Sequence, residues 1–248
     1  MKEFDFDTVP VEHVHLQPEM RMAFLDEPYG PGADRFRFLR MRLREMRNAA
    51  KLKTLLITSP LPGDGKSTIA LNLATALAEG GSRRVLLVEA DLHSNRTIGR
   101  LGLRQRPGLA ECLENRLYAP ALLRRIEPLG CYFLGAGQTQ HNPAELLQSD
   151  ATARVLDSLR SHFDWIVLDS PPLNPVSDAH LLARHADGIL LVARAGITPK
   201  HDIQSAVNHF GQKKVLAVLL NGVEAVNRSY SKYDQYYGKK SSSKPQEP

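Results

Sequence analysis

A glycine-containing turn followed by Lys66 and Ser67 is the clearest chemical feature of this 248-residue sequence. It lies between the apolar run at 55–57 and residues 69–78, whose apolar spacing predicts a helix. Backbone N–H groups of such a turn and the positive end of the helix dipole bind phosphate oxygens. The strict motif has glycine where Pro60 stands, so an ordinary strand-to-helix turn is the alternative.

We predict that this turn is a nucleotide phosphate site, because Lys66 would reach the β- and γ-phosphates and the Ser67 hydroxyl would bind Mg²⁺. The residues expected to contact the phosphates, chiefly through backbone amides, are Gly63, Asp64, Gly65, Lys66, Ser67 and Thr68.

Acidic residues end two further apolar runs. Glu89 and Asp91 follow the run at 84–88, and Asp169 follows the run at 165–168. Ligands of open α/β sheets bind at the carboxyl ends of the strands, so these acids are candidates for Mg²⁺ binding and catalysis. Solvated loop acids are the alternative.

Apolar runs alternate with helical patterns along the chain. The predicted strands are residues 55–57, 84–88, 131–134, 165–168, 188–193 and 215–220. This alternation predicts an α/β fold of the P-loop NTPase type, a mostly parallel sheet with helices on both faces. We expect a single domain over residues 34–226.

The segments around this domain differ in charge. Residues 1–34 carry a net charge of −6, and residues 1–33 predict a flexible acidic leader ending in proline and glycine. Residues 34–50 predict an amphipathic helix, and the stretch 35–53 carries +7. Its arginine stripe fits a solvated face, a subunit interface or anionic lipid. Nucleic acid ranks last and is not expected, because no aromatic residues are interleaved for base stacking.

The C-terminal segment 227–248 is basic and has a composition typical of disorder. Four of the seven tyrosines of the chain lie there: Tyr230, Tyr233, Tyr236 and Tyr237. A purely solvating tail explains them poorly, so they are docking residues or phosphate acceptors.

Cysteine content and hydropathy bear on the compartment. Cys112 and Cys131 form no C-x-x-C pair, which argues against a thiolate metal site and fits a reducing cytoplasm. A run of about 18 apolar residues, which would indicate a membrane helix, does not occur in the sequence. We therefore expect a soluble cytoplasmic protein whose membrane contact comes through a partner or a surface patch.

Taken together, the motifs resemble those of the cytoplasmic bacterial tyrosine kinases that accompany capsule and exopolysaccharide export. The resemblance covers roughly residues 34–237. Its carriers are P-G-D-G-K-S-T at 62–68, L-L-V-E-A-D at 86–91, N-P-A-E-L-L at 142–147, I-V-L-D-S-P-P at 166–172, L-N-G-V at 220–223 and the tyrosine cluster.

The resemblance implies an ATP- and Mg²⁺-dependent autokinase that phosphorylates its C-terminal tyrosines between subunits. Lys66 and Ser67 would bind ATP and Mg²⁺, Asp91 and Asp169 would act on the magnesium side, and Glu89 would lie near the incoming tyrosine. Asn221 is similar to the asparagine of the family's L-N-G-V segment, which implies a contact on the adenine side of the nucleotide.

The resemblance also implies partners. Asp34, Arg37 and Arg40 resemble an E-x-x-R-x-x-R interface motif, which implies a ring-like homo-oligomer. A separate transmembrane activator of the chain-length-determinant type would recruit the protein to the inner face of the cell membrane.

Departures from the family pattern leave two other interpretations open. Glu89 replaces an aspartate and His93 an arginine, which fits an ATP-binding scaffold of a polysaccharide-export complex without kinase activity. The partitioning and cell-division ATPases share this P-loop subclass. They carry an additional lysine in the region that reads Pro-Leu-Pro at 60–62 here, so they fit less well.

Overall fold

The computed structural model describes residues 4–15, 20–94, 96–174 and 177–223. These residues contain an eight-stranded, mostly parallel sheet in the order β1-β4-β5-β3-β6-β2-β7-β8. The strands are β1 (Val11–His13), β2 (Thr54–Thr58), β3 (Val85–Glu89), β4 (Arg124–Glu127), β5 (Cys131–Leu134), β6 (Trp165–Asp169), β7 (Gly188–Arg194) and β8 (Val215–Asn221).

Helices connect these strands. They are α1 (Ala23–Asp26), α2 (Pro31–Ala50), α3 (Lys66–Ala78), α4 (Arg96–Arg100), α5 (Leu109–Leu113), α6 (Pro143–Gln148), α7 (Asp150–Arg160), α8 (Asp178–Ala183) and α9 (Lys200–Phe210). Within the described residues no helix is long and apolar enough to span a membrane.

Apolar residues on alternate sides of the strands form a core on each face of the sheet. Leu55 and Leu87 pack with α2 and α3 on one face, and Leu56 and Leu86 pack with α5 to α8 on the other. Strands buried on both faces read as continuous apolar runs, which is why the sequence predicts β2, β3, β5, β6 and β7 correctly. The edge strand β8 is less buried but is also predicted, from its apolar run at 215–220. The predicted α/β fold, a mostly parallel sheet with helices on both faces, is confirmed.

The N-terminal segment differs from the leader without regular elements that the sequence predicts. β1 pairs in parallel with β4 at the edge of the sheet, and Met22 is fully buried. Asn72 of α3 accepts a hydrogen bond from Ala23 N–H (2.7 Å) and donates one to the Arg21 carbonyl (3.0 Å). Proline and glycine do not mark a linker here.

The basic helix α2 ends at Ala50, as predicted, but it begins at Pro31 and not at Asp34. Proline is favoured in the first helical turn, because its fixed φ suits the helix and its missing N–H would have no partner there.

Strand β4, like β1, is not predicted from the sequence. It is a short strand, antiparallel to β5, with charged residues in a half-buried position.

Candidate active site

The predicted phosphate turn lies between β2 and α3, and α3 begins at Lys66. Gly63 (φ 86°) and Gly65 (φ 96°) adopt the left-handed conformation, which glycine enters without steric strain. No side chain of the described residues caps α3, so the N–H groups of its first turn are directed toward the turn. Lys66 and Ser67 are buried at the base of this site.

Residues near the ends of β7 and β8 hold the phosphate turn in place. The Asp64 carboxylate accepts hydrogen bonds from Thr198 Oγ1 (2.6 Å) and Leu61 N–H (3.1 Å), so this side chain holds the loop. Asn221, at the end of β8, donates from Nδ2 to the Asp64 carbonyl (2.9 Å) and packs directly against Gly65. Asn221 thus lies at the phosphate turn, and its contact with the adenine side of a nucleotide stays a prediction.

Register brings two of the predicted acids together, because Glu89 of β3 is the partner of Asp169 of β6. Glu89 is only 1% exposed, and its oxygens accept hydrogen bonds from Thr97 N–H (2.6 Å) and Ala136 N–H (3.4 Å). Burial raises the pKa of Glu89 to about 7, an effect that the charge of Asp169 reinforces and these backbone hydrogen bonds oppose. Glu89 is therefore withdrawn from the open part of the site, and its place near an incoming tyrosine stays a prediction.

Asp169 is buried beside Lys66 and Ser67. Its Oδ2 accepts a hydrogen bond from Thr97 Oγ1 (3.0 Å), whereas its buried Oδ1 has no partner within the described residues. Burial raises the pKa of Asp169, and the Lys66 charge and the Ser67 hydroxyl act in the opposite direction.

Asp91 lies in the loop after β3 and is 8% exposed, more than Glu89. Its oxygens accept hydrogen bonds from Ser94 Oγ (2.8 Å) and His93 N–H (3.2 Å). The His93 ring is 3.0 Å (Nε2 to Oδ2) from Asp178, a buried residue at the start of α8. The loop that carries Asp91 is thereby linked to α8.

The oxygen atoms of this site suit a Mg²⁺ ion that is bound jointly by the protein and the phosphates of a nucleotide. Mg²⁺ at nucleotide sites is held by one or two oxygen ligands of the protein, with phosphates and waters completing an octahedron. Asp169 Oδ1 is a buried carboxylate oxygen without a partner among the described residues, and the Ser67 hydroxyl lies near this carboxylate. The described residues contain no cluster of three or more acidic, His or Cys ligands, which this type of site does not require.

Several residues of the site carry no signal in the sequence. Thr97 bridges Glu89 and Asp169, Thr198 holds Asp64, and Arg100 donates to Thr68 Oγ1 (2.9 Å). Thr97 and Arg100 reach the site from α4 and Thr198 from the segment after β7, so only the folded chain brings them there. Arg194, which ends β7 and donates to the Gly63 carbonyl (3.4 Å), has one signal, its position after an apolar run.

The predicted interface residues make contacts within the chain. Arg37 forms an ion pair with Asp34 (2.8 Å), and Arg40 donates to the Ala76 carbonyl of α3 (3.0 Å). The predicted acceptor tyrosines at 230–237 lie outside the described residues.

Comparison with known proteins places the chain in a class of nucleotide-binding domains. Residues 55–238 match the CobQ/CobB/MinD/ParA nucleotide binding domain family (CbiA). The kinase domain of Escherichia coli tyrosine kinase ETK superposes with a TM-score of 0.76 at 27% identity, covering 82% of this chain and 80% of that one.

Curated relatives narrow the class. Tyrosine-protein kinase YwqD of Bacillus subtilis is 30% identical over 87% of this chain and 90% of its own length. The chain belongs to the bacterial tyrosine kinase family. It spans only 27–30% of the length of other relatives, such as tyrosine-protein kinase ptk of Acinetobacter johnsonii, which is 31% identical over 76% of this chain.

Proposed function

We propose that this protein is an ATP-dependent protein-tyrosine autokinase that phosphorylates tyrosines of its own C-terminal segment. The observation that carries the proposal is the buried Asp169 Oδ1, without a partner among the described residues and beside Lys66 and Ser67 of the phosphate turn. A nucleotide with its metal would supply the partner that this carboxylate lacks.

In the proposed reaction, the phenol oxygen of a tyrosine attacks the γ-phosphorus of ATP. The bond from this phosphorus to the β–γ bridging oxygen breaks, ADP leaves, and the phenol proton is released to water. Lys66 and the amides of residues 63–68 stabilise the negative charge on the phosphoryl oxygens during transfer. Asn221 contacts the nucleotide from the end of β8.

Mg²⁺, when bound, would neutralise charge on the β- and γ-phosphates. Ser67, Asp91 and Asp169 would hold it. Glu89 acts here as a positioning residue, because both of its oxygens are bonded to backbone N–H groups of other elements.

The acceptors that we propose are Tyr230, Tyr233, Tyr236 and Tyr237. They are phosphorylated between subunits of a ring-like homo-oligomer that uses the α2 surface around Asp34, Arg37 and Arg40. A transmembrane activator recruits the protein to the inner face of the cell membrane, where phosphorylation regulates capsule or exopolysaccharide export. Each phosphate adds a charge of about −1.5 to −2, which opposes the positive charge of the segment.

One observation favours a second candidate, an ATP-binding scaffold without kinase activity. Glu89 takes the place of the family's aspartate and is withdrawn from the open site by its backbone contacts. If tyrosine transfer requires a carboxylate at this position to contact the phenol, the scaffold would bind ATP and transfer nothing.

The test uses the purified full-length chain with Mg-ATP, with and without the cytoplasmic segment of its membrane activator. Phosphate is mapped by mass spectrometry, and ATP affinity is measured in parallel. We expect phosphotyrosine within residues 230–237 for the wild type and none for Lys66→Met. Intact ATP binding without phosphotyrosine would refute the kinase and support the scaffold.

A further inference from the structure

The two carboxylates that we propose for Mg²⁺ stand on different parts of the chain, Asp91 in the loop after β3 and Asp169 at the end of β6. Mg²⁺ demands nearly ideal octahedral geometry, so two carboxylates that hold one ion must keep a fixed separation. A side-chain contact joins the loop after β3 to the chain that follows β6. Nε2 of His93 is 3.0 Å from Oδ2 of Asp178.

The Asp178 side of this contact is buried. Asp178 is 1% exposed and begins α8, where Ala179 and Leu182 pack into the cores. Within the described residues, the His93 ring is the hydrogen-bond partner of this carboxylate and no other group is. An ionised carboxylate only accepts hydrogen bonds, so the ring donates from Nε2. A buried carboxylate is costly without a partner, and His93 supplies it.

The other side of the contact holds Asp91. The backbone N–H of His93 donates to Asp91 Oδ1 (3.2 Å), and the Ser94 hydroxyl donates to Asp91 Oδ2 (2.8 Å). These three residues form one bonded turn, so a displacement of His93 displaces the carboxylate too. Thr97 of α4 donates from Oγ1 to Asp169 Oδ2 (3.0 Å). The region after β3 is thus tied twice to β6 and the chain that follows it.

The chain that follows β6 is in turn tied to β2 and the phosphate turn. Ser170 N–H donates to the Ile57 carbonyl (3.2 Å), and Leu173 N–H donates to the Ser59 carbonyl just before the phosphate turn (2.8 Å). The phosphate turn, the chain after β6 and the loop after β3 are therefore joined in series. The contact between His93 and Asp178 closes this series on the side of Asp91.

We propose that the His93–Asp178 pair positions Asp91, so that Asp91 and Asp169 are held at the separation that one Mg²⁺ ion requires. Asp178 is a positioning residue, because it acts through His93 and is not a ligand itself. The proposal rests on the proposed function for its use of Mg²⁺ and nucleotide. The His93 side chain is 43% exposed, so its removal should leave the core intact and change the position of Asp91.

The test measures metal binding apart from phosphoryl transfer. The full-length chain is loaded with a fluorescent ADP, and the Mg²⁺ concentration that half-saturates the complex is determined. His93→Ala should raise this concentration about tenfold, as does the loss of a group that orients a metal ligand, and leave the Kd for the nucleotide without Mg²⁺ unchanged. His93→Arg should stay within about twofold of the wild type, because a guanidinium also donates to the Asp178 carboxylate.

A double-mutant cycle tests whether the two residues act as a pair. Asp178→Asn should raise the half-saturating Mg²⁺ concentration, and the variant with both His93→Ala and Asp178→Asn should be no worse than the poorer single variant. His201→Ala is the matched control. His201 is an exposed histidine of α9 whose Nε2 lies 3.4 Å from Oδ1 of Asp202, and its loss should change nothing.

Amide hydrogen exchange provides a readout without metal or nucleotide. Exchange of residues 91–94 should be faster in His93→Ala than in the wild type and unchanged in His201→Ala. The proposal would be overturned by an unchanged half-saturating Mg²⁺ concentration in His93→Ala, by additive losses in the double variant, or by His93→Arg as impaired as His93→Ala. If the wild type forms no phosphotyrosine, the kinase proposal fails, whereas these binding and exchange measurements still decide the role of the pair.

Discussion

Glu89 and Asp91 stand two residues apart, yet their surroundings differ. Glu89 is 1% exposed and accepts hydrogen bonds from the backbone N–H groups of Thr97 and Ala136, whereas Asp91 is 8% exposed and accepts one from the Ser94 hydroxyl. The folded chain therefore distinguishes a carboxylate that is bonded to the backbone of other elements from one that lies in the loop after β3, where we propose that it helps to hold Mg²⁺.

This division predicts unequal losses of activity. Asp91→Asn should lower the kcat of tyrosine phosphorylation by at least about 100-fold, because a charge that stabilises the transition state is lost. Glu89→Gln should lower it by about tenfold, because the amide retains one acceptor for the backbone N–H groups. Initial rates with Mg-ATP give both values, with circular dichroism as the folding control. Equal losses would assign Glu89 a direct catalytic role.

The raised pKa of Glu89 predicts a pH effect on stability in the absence of nucleotide and Mg²⁺. Its pKa is about 7 when folded and 4.5 ordinarily, so the folded chain keeps a proton that the unfolded chain releases. The free energy of unfolding should therefore fall as pH rises from about 4.5 to 7 and then level off. Glu89→Gln should stabilise the protein at pH 8 by roughly 1–3 kcal/mol and hardly at pH 4.5. Urea unfolding at both values tests this, and an equal gain at both would contradict it.

At the scale of elements, Asn72 connects α3 to the N-terminal segment through its hydrogen bonds to Ala23 and Arg21. Asn72→Ala leaves two partly buried hydrogen bonds unmade at a buried side chain and should destabilise the protein by about 1–3 kcal/mol. Asn208→Ala, at an exposed position of α9, should change stability by less than about 0.5 kcal/mol. A similarly small effect at Asn72 would mean that this anchor contributes little.

The elements also show why prediction from the sequence succeeds unevenly. Six strands are apolar runs in the sequence, so the pattern locates them. Position locates the site residues, because Asp91 and Asp169 stand at the ends of such runs and Lys66 begins the helix after one. β1 and β4 are short, polar strands that exist only through pairing with each other and with β5. Thr97 has no pattern at all, because its role comes from contacts with two different strands.

At the scale of the whole molecule, the structure shows where the basic and acidic stretches of the sequence lie. The basic stretch 35–53 lies mainly on α2, where Arg37 and Arg40 are already bonded within the chain. An oligomer formed through this surface must therefore keep or exchange these contacts. The acidic strand ends lie across the sheet from β8, after which the basic tyrosine segment begins.

The central claim is that phosphate from ATP reaches the C-terminal tyrosines, and the intact mass of the chain tests it most directly. Wild-type protein and the variant with phenylalanine at 230, 233, 236 and 237 are incubated with Mg-ATP. The intact mass of each chain is measured by mass spectrometry over time. We predict stepwise gains of one phosphoryl group, up to four, in the wild type and none in the variant. Equal gains in both chains, or no gain in either, would contradict the account.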